Sequence, residues 1–260
     1  MKPDNLAEMW SLSGRTAMVT GASSGLGWHF AQTLAGARAR VLVAARRVDR
    51  LQLLVSELLT RHAEAYAVAL DVTNAFGVRK AFDMAAEHGF EPDIIVNCAG
   101  VTTFKPALEV MEEEWDAVTD TNLKGSWLVA REAAARMVAQ QRSGSIVNVA
   151  SILGLRTGGG LVAYGASKAG LVHMTRLLAL EWARHKIRVN AIAPGYFVTD
   201  LNRDFLGSEL GERARLRIPQ RRFGSPEHLD GPLLLLASEA GAYITGAVIA
   251  VDGGHLCSSL

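Results

Sequence analysis

Short apolar runs rich in β-branched residues alternate with longer amphipathic segments along almost the whole chain. Strands that are apolar on both faces, each followed by a helix, are typical of a parallel sheet covered by helices on both faces. The apolar runs lie at residues 16–20, 41–45, 66–70, 93–97, 145–150, 187–192 and 247–251, and the helical patterns at residues 28–34, 48–62, 76–88, 112–140, 164–184 and 226–237. Because such crossovers are right-handed, the sequence predicts an α/β fold with one doubly wound, Rossmann-type parallel sheet of about seven strands.

No internal repeat or linker divides the 260 residues, so we expect a single dinucleotide-binding catalytic domain over residues 1–260. The irregular segment is residues 200–223, which follows the sixth apolar run and contains six arginines and four acidic residues. An insert after the carboxyl end of a strand is a candidate lid over the ligand crevice of such a sheet. A solvated surface helix is the alternative interpretation of the same residues.

Composition makes several classes of function improbable. The chain is 49% hydrophobic and 20% charged with a formal net charge of +1, which favours neither nucleic acid nor an anionic membrane surface as a partner. No run reaches the roughly 18 apolar residues of a membrane span, and the first residues lack the apolar core of a signal peptide. Cys98 and Cys257 match no metal-ligand spacing. We therefore expect a cytoplasmic protein with reduced thiols.

The first apolar run leads into a glycine-rich stretch, TGASSGLG, at residues 20–27. Gly21 permits a sharp turn, Gly25 lets a ligand approach the backbone, and Gly27 permits close contact between helix and sheet. The free N–H groups at the start of the following helix can hold a pyrophosphate. The stretch therefore predicts a dinucleotide site that includes Gly21, Ser23, Ser24, Gly25, Leu26 and Gly27.

The end of the second apolar run distinguishes between the two nicotinamide dinucleotides. NAD sites often have an acidic residue here that binds the ribose hydroxyls. This chain has Ala45 followed by Arg46 and Arg47, and guanidinium groups can bind a 2′-phosphate. We predict NADP(H), with Arg46 as the first candidate ligand. NAD(H) stays the alternative, since either arginine could simply lie on the surface.

Further cofactor contacts are expected at the carboxyl ends of the other strands, where the crevice should lie. Asp71 and Val72 follow the third apolar run, and Asp71 could accept a hydrogen bond from adenine or instead form a turn with Thr73. The residues expected near the ribose and the carboxamide are Asn97, Ala99, Gly100, Pro194, Gly195, Phe197 and Thr199.

Together these motifs resemble those of the classical short-chain dehydrogenases/reductases over nearly the whole chain. TGASSGLG resembles the TGxxxGxG turn of that family, NCAG (97–100) its NNAG, and RVNAIAPGYFVT (188–199) and ITGAVIAVDGG (244–254) its C-terminal blocks. Cys98, Arg38 and Phe197 depart from the pattern, where the family has Asn, often Gly, and Ile or Val. The family's Asn-Ser-Tyr-Lys catalytic set is matched in order and spacing by Asn122, Ser151, Tyr164 and Lys168.

The catalytic set suggests an acid–base mechanism. If residues 164–184 are helical, Tyr164 and Lys168 share one face. A tyrosine pKa of about 10 must fall toward about 7, and the Lys168 ammonium and an oxidised nicotinamide would both lower it. Ser151 can hydrogen-bond a substrate carbonyl. The resemblance implies that Lys168 also binds the nicotinamide ribose and that Asn122 holds a water linking Lys168 to solvent, and no metal is required.

The resemblance, which is to 3-oxoacyl reductase and carbonyl reductase-like members of the family, thus implies an NADPH-dependent oxidoreductase. It would reduce a small or medium ketone, 3-oxoacyl thioester-like or otherwise, with Tyr164 as general acid/base. The alternatives are an NAD-dependent dehydrogenase of a secondary alcohol or sugar, and a non-catalytic dinucleotide-binding sensor or scaffold. Arginines in residues 200–223 suggest an anionic substrate, although the same arginines could instead serve folding or oligomer contacts. The resemblance also implies a homo-oligomer, a tetramer. Expected substrate contacts are Ser151, Leu153, Tyr164 and Tyr196.

Overall fold

Seven parallel strands form one sheet in the computed structural model, which describes residues 6–198 and 206–258. Their order is β3-β2-β1-β4-β5-β6-β7. The predicted strand ends are right to within two residues, and the doubly wound architecture is confirmed. The strands are β1 (Thr16–Thr20), β2 (Arg40–Ala45), β3 (Ala65–Ala69), β4 (Ile94–Asn97), β5 (Gly144–Val149), β6 (Ile187–Pro194) and β7 (Val248–Val251).

Helices cover both faces of the sheet because the strands are apolar on both sides. On one face α1, α2 and α8 pack through residues such as Phe30, Leu54 and Leu233. On the other face α3, α5 and α6 pack through residues such as Phe82 and Leu178. The α-helices of the described ranges are α1 (Gly25–Gly36), α2 (Val48–Thr60), α3 (Ala75–Glu87), α4 (Glu112–Thr119), α5 (Ser126–Ala139), α6 (Val162–Trp182), α7 (Glu209–Arg217) and α8 (Asp230–Ala237).

The segment 112–140, predicted as one helix, is interrupted. A π-helical turn, Asp120–Gly125, separates α4 from α5. Gly125 lies so close to Val72 that an added Cβ would be 2.6 Å from the Val72 Cγ2. The wider turn inserts an extra residue, and Asn122 within it is fully buried. The helix predicted at residues 226–237 likewise begins with a separate 3₁₀ turn, Pro226–Leu229, before α8.

The expected lid lies partly outside the described residues, which omit Thr199 and residues 200–205. The part that is described contains α7, and its Arg213 and Arg215 pair with Glu209 and Glu212 on the same helix.

Within the described ranges, no helix is both long and apolar enough to cross a bilayer.

Candidate active site

A cleft of about 370 Å³ opens at the carboxyl ends of the strands. Its position corresponds to the point between β1 and β4 where the strand order reverses, which is where α/β sheets of this kind bind ligands. The expected site residues that line it are Gly21, Ser23, Ser24, Gly25, Leu26, Gly27, Arg46, Arg47, Asp71, Val72, Ala99, Gly100, Ser151, Tyr164, Lys168, Pro194, Gly195 and Phe197.

Several lining residues were missed by sequence reasoning. Each lies within two positions of a predicted residue, so extending every predicted site position by two residues would have found them. They are Ala45, Leu70, Cys98, Val101, Thr121, Val149 and Ala150.

The glycine turn leaves its backbone bare toward the cleft. Gly21 has a φ of +70°, and an added Cβ would be 2.8 Å from the Ala99 Cα. A Cβ on Gly27 would collide with the Gly21 carbonyl oxygen. The Ser24 side chain does not cap α1, so the first N–H groups of that helix are open to a ligand. This cradle fits a pyrophosphate group.

The cradle can be tested by comparing two glycines with the same backbone conformation. Gly14 has a φ of +76° with nothing near its Cβ position, so Gly14→Ala should cost only the left-handed strain, about 1–2 kcal/mol. Gly21→Ala adds a collision with the Ala99 backbone. We expect a larger loss of unfolding free energy, and about tenfold weaker NADPH binding, for Gly21→Ala. Urea unfolding and fluorescence titration measure both, and equal effects of the two substitutions would contradict this account of the turn.

Two arginines lie at the mouth of the cleft beyond the glycine turn. The Arg47 Nη2 donates to the Ser23 Oγ at 3.0 Å and to the Ser24 Oγ at 2.7 Å. The exposed Arg46 makes no hydrogen bond to the rest of the described chain. Arg47 is therefore positioned by the turn itself, and the Arg46 guanidinium has all its donors available for a ligand.

Asp71 forms a turn with Thr73, which is the alternative role considered from the sequence. Its Oδ1 accepts hydrogen bonds from the Thr73 N–H at 3.0 Å and the Thr73 hydroxyl at 2.8 Å. The bond from the Thr73 N–H is the main reason that the pKa of Asp71 lies below its ordinary value, and the charge of Arg46 adds to this effect. Since Asp71 also lines the cleft, the turn role does not remove it from the site.

The predicted catalytic residues Ser151, Tyr164 and Lys168 lie together at the other end of the cleft. Ser151 follows β5, and its side chain lies near enough to the Tyr164 hydroxyl to lower the Tyr164 pKa. Tyr164 lies in the first turn of α6, which begins at Val162 rather than at Tyr164. One turn later, the Lys168 Nζ lies 5.7 Å from the centre of the Tyr164 ring and donates to the Val149 carbonyl at 2.7 Å. The arrangement places a hydroxyl, a phenol and an ammonium on the lining of the same cleft.

The expected fall of the Tyr164 pKa does not occur in the protein alone. Burial raises the pKa of Tyr164, and the nearby Ser151 side chain only partly opposes this rise. Burial also lowers the pKa of Lys168 to about 8. The cost of desolvating the phenolate outweighs the interactions that favour it. Tyr164 therefore holds its proton at neutral pH, as a proton donor requires.

Asn122 is tied to the loop that follows β4. Its Oδ1 accepts from the Val101 N–H at 2.8 Å, and its Nδ2 donates to the Val101 carbonyl and to the Ser167 Oγ, both at 3.0 Å. The Ser167 hydroxyl donates in turn to the Tyr164 carbonyl at 2.8 Å. The side chain thus joins the loop beside Gly100 to the first turns of α6, and it contacts Lys168 through no hydrogen bond.

Three other predicted contacts do not face the cleft. The Asn97 side chain turns into the core, contrary to the prediction, and its Nδ2 donates to the Asn148 Oδ1 at 2.9 Å. Leu153 lines a neighbouring groove of about 580 Å³, and Tyr196 lines a cavity of about 210 Å³ that shares Phe197 with the cleft.

Among residues 6–198 and 206–258, no three His, Cys, Asp or Glu side chains are grouped as a metal site.

Comparison with known proteins gives consistent results. Residues 21–255 match the family described as Enoyl-(Acyl carrier protein) reductase. The chain is 38% identical to 2-dehydro-3-deoxy-D-gluconate 5-dehydrogenase of Escherichia coli, over 95% of this chain and 97% of that one. It is 36% identical to a 3-oxoacyl-(acyl-carrier-protein) reductase of Aquifex aeolicus, over 94% and 98% of the two chains. A gluconate 5-dehydrogenase of Burkholderia cenocepacia, solved with NADP and tartrate, has a TM-score of 0.95 and 30% identity over 98% and 100% of the chains.

Proposed function

Because the chain belongs to the short-chain dehydrogenase/reductase family and is an oxidoreductase of that family, we propose that it reduces a ketone with NADPH and uses Tyr164 as general acid/base. One observation carries this proposal. Ser151, Tyr164 and Lys168 converge at one end of a cleft whose other end holds the glycine turn, Arg46 and Arg47.

The residues of the chain act on the substrate oxygen. When bound, the reduced nicotinamide supplies a hydride for the carbonyl carbon. Ser151 donates a hydrogen bond to the carbonyl oxygen and stabilises the negative charge that develops there. Tyr164 gives its proton to the same oxygen. The Lys168 ammonium, held by the Val149 carbonyl, then stabilises the phenolate that remains.

The dinucleotide would be held along the length of the cleft. The bare N–H groups of the glycine turn suit the pyrophosphate, and Arg46 with Arg47 suits a 2′-phosphate. Lys168 would bind the nicotinamide ribose, as the resemblance implies, beside Ala99 and Gly100. Asp71 and Val72 would contact the adenine, while Pro194, Gly195, Phe197 and Thr199 would contact the carboxamide.

Substitution of Arg46 tests whether the protein prefers NADPH to NADH. Charge-assisted hydrogen bonds are worth about 1.5–3 kcal/mol, so Arg46→Ala should weaken NADPH binding by about 10-fold to 100-fold and leave NADH binding unchanged. Arg61→Ala is the matched control, because Arg61 lies at the end of α2 and pairs with Glu57. Fluorescence titration gives the dissociation constants. Equal binding of NADH and NADPH by the unaltered protein would instead favour an NAD-dependent dehydrogenase.

The reverse reaction, oxidation of a secondary alcohol, is the second candidate function. The name of the Escherichia coli relative favours it, because that enzyme is a dehydrogenase of a hydroxylated acid. The same residues serve both directions, with the Tyr164 phenolate as base in oxidation. A purely dinucleotide-binding sensor is the weaker alternative, since it has no use for a buried ammonium beside a tyrosine.

We also infer a homo-oligomer, a tetramer as the family resemblance implies. Large apolar side chains are exposed on the helices of one face, among them Trp115, Trp127 and Leu180. A second copy of the chain packed on α4, α5 and α6 would cover them.

A further inference from the structure

The region of Tyr196 contains three basic residues, Arg156, Arg217 and His255, which we call the basic cluster. Arg217 is exposed, whereas His255 is buried. The His255 ring lies 5.6 Å from the Tyr196 ring, and the Arg156 Nη1 donates to the His255 carbonyl at 2.6 Å. Burial raises the pKa of Tyr196, and the charges of Arg156 and Arg217 oppose that rise. Ile218, the residue after Arg217, packs against Gly253, because a Cβ on Gly253 would be 2.8 Å from the Ile218 Cγ2, and Gly253 lies two residues before His255.

The basic cluster is connected to the cleft on two sides. Arg156 follows Ser151 by five residues, and its N–H donates to the Ile152 carbonyl at 2.9 Å. On the other side, Gly195 lines the cleft and lies against Asp252, whose Cα would be 2.8 Å from a Cβ on Gly195.

The Asp252 carboxylate accepts from the Gly254 N–H at 2.9 Å and the Leu256 N–H at 2.7 Å, so it holds the turn that carries His255. The connections run through the ends of β5 and β6, on the Ser151 side of the sheet. Arg46 and Arg47 follow β2 on the other side. The cluster therefore lies on the side of the sheet that carries Ser151, away from the two arginines that follow β2.

Several polar nitrogen atoms of the basic cluster have no hydrogen-bond partner. His255 is only 6% exposed, and its Nδ1 is buried without a hydrogen-bond partner. Within the described ranges, the Arg217 side chain makes no hydrogen bond or ion pair, and the Arg156 side chain uses only its Nη1. By contrast, Arg213 and Arg215 of the same helix are both paired with glutamates. A buried polar group without a partner costs about 1–3 kcal/mol, which a ligand acceptor would relieve.

The net charge of the basic cluster matches a ligand that carries one negative charge. Burial lowers the pKa of His255, and the charges of Arg156 and Arg217 lower it further, so its imidazole is neutral at neutral pH. Two guanidinium charges against the Asp252 carboxylate then leave a net charge of about +1. A carboxylate matches this charge better than a phosphate dianion, and its two oxygens fit a guanidinium fork.

We propose that the basic cluster binds the carboxylate of the substrate, so that the substrates are oxo acids and the corresponding hydroxy acids. This rests on the proposed function, because Ser151 and Tyr164 must hold the reacting carbon of the same molecule. The carboxylate would anchor one end of the substrate while the ketone or alcohol lies at the catalytic residues.

Matched substrates test the proposal without any substitution. We would compare 4-oxopentanoate and 5-oxohexanoate with their methyl esters in NADPH-dependent reduction, and D-gluconate with D-glucitol in NADP⁺-dependent oxidation. The kcat/KM of each acid should exceed that of its neutral partner by about tenfold or more, as expected for a charge-assisted hydrogen bond. If neither member of a pair is turned over, calorimetric dissociation constants on the dinucleotide-loaded protein should show the same ratio.

Substitutions then assign the preference to the cluster. A double variant, Arg156→Gln with Arg217→Gln, should bring the ratio of acid to neutral partner close to one. Arg213→Gln removes an arginine from the same helix that is already paired, and it should keep the ratio of the unaltered protein.

Equal or better use of the neutral partners would overturn the proposal. So would an acid preference that persists in the double variant, or a preference for dihydroxyacetone phosphate over every carboxylate tested. Reduction of neutral ketones alone would refute only this inference. Failure to reduce any carbonyl compound with NADPH would count against the proposed function instead.

Discussion

Replacing Tyr164 with phenylalanine is expected to reduce kcat for carbonyl reduction by about 10²-fold to 10⁴-fold, the range that general acid catalysis contributes. The substitution removes one hydroxyl and keeps the ring that packs in the first turn of α6. Because the proton donor is lost and the shape of the cleft is kept, the NADPH dissociation constant should change little. NADPH absorbance gives the rate, and fluorescence titration gives the binding.

Tyr243→Phe is the matched control for this experiment. Tyr243 is fully exposed and lies far from the cleft-lining residues in sequence, so its hydroxyl should not affect the rate. If Tyr164→Phe kept a third or more of the activity on the best substrate, Tyr164 would not be the acid. A loss of dinucleotide binding equal to the loss of rate would point to a damaged cleft rather than a missing proton donor.

Replacing Lys168 with methionine should have the second largest effect, a loss of about 100-fold or more in kcat/KM. The Lys168 ammonium is 5% exposed, and in such surroundings its charge stabilises a neighbouring phenolate far more than it would in water. Lys168→Arg keeps the charge and should retain more activity than Lys168→Met. Similar losses in both variants would show that the shape of the side chain matters and its charge does not.

The pH dependence of reduction follows from the lowered pKa of Lys168. Burial brings this pKa to about 8, so the ammonium loses its proton as the pH rises through about 8 rather than near the ordinary value of 10.5. The kcat/KM for reduction should therefore decline above about pH 8. In Lys168→Arg, where the charge persists, this decline should disappear.

The lowered pKa of Lys168 also affects stability. As the pH rises above about 8, the rate of reduction should fall while the free energy of unfolding should rise. The unfolded chain binds the Lys168 proton more tightly than the folded protein does, so below about pH 8 the ammonium destabilises the fold. This penalty is relieved as the pH rises from about 8 to 10.5. Relative to Lys168→Met, the unaltered protein should gain unfolding free energy over this interval.

Much of the fold could be predicted because its signals are local. Each strand is an apolar run, and the turn at residues 20–27 combines three glycines whose conformation or close packing requires glycine. Ser151, Tyr164 and Lys168 could be predicted because their motifs resemble those of the short-chain dehydrogenases/reductases in order and spacing. The tyrosine and lysine alone would not have been enough.

Other features depend on packing that no local pattern reveals. The π-helical turn at Asp120–Gly125 includes a close approach of Gly125 to Val72, which hydrophobic periodicity does not indicate. The Asn97 side chain follows the register of β4, which pairs it with Asn148 and directs it into the core.

Two further features have their cause in the folded environment. The direction of the Tyr164 pKa shift is set by burial, which outweighs its neighbours. The contact between Arg156 and His255 joins residues 99 positions apart, and no motif links them.

The central claim is that this cleft transfers a hydride to a carbonyl carbon under the control of Tyr164. The most direct test supplies NADPH with two deuterium atoms at the nicotinamide C4 and follows the label by mass spectrometry. The alcohol product should carry one deuterium on its carbinol carbon, and Tyr164→Phe should form the same labelled product at a greatly reduced rate. A product without deuterium, or an undiminished rate in Tyr164→Phe, would contradict the claim.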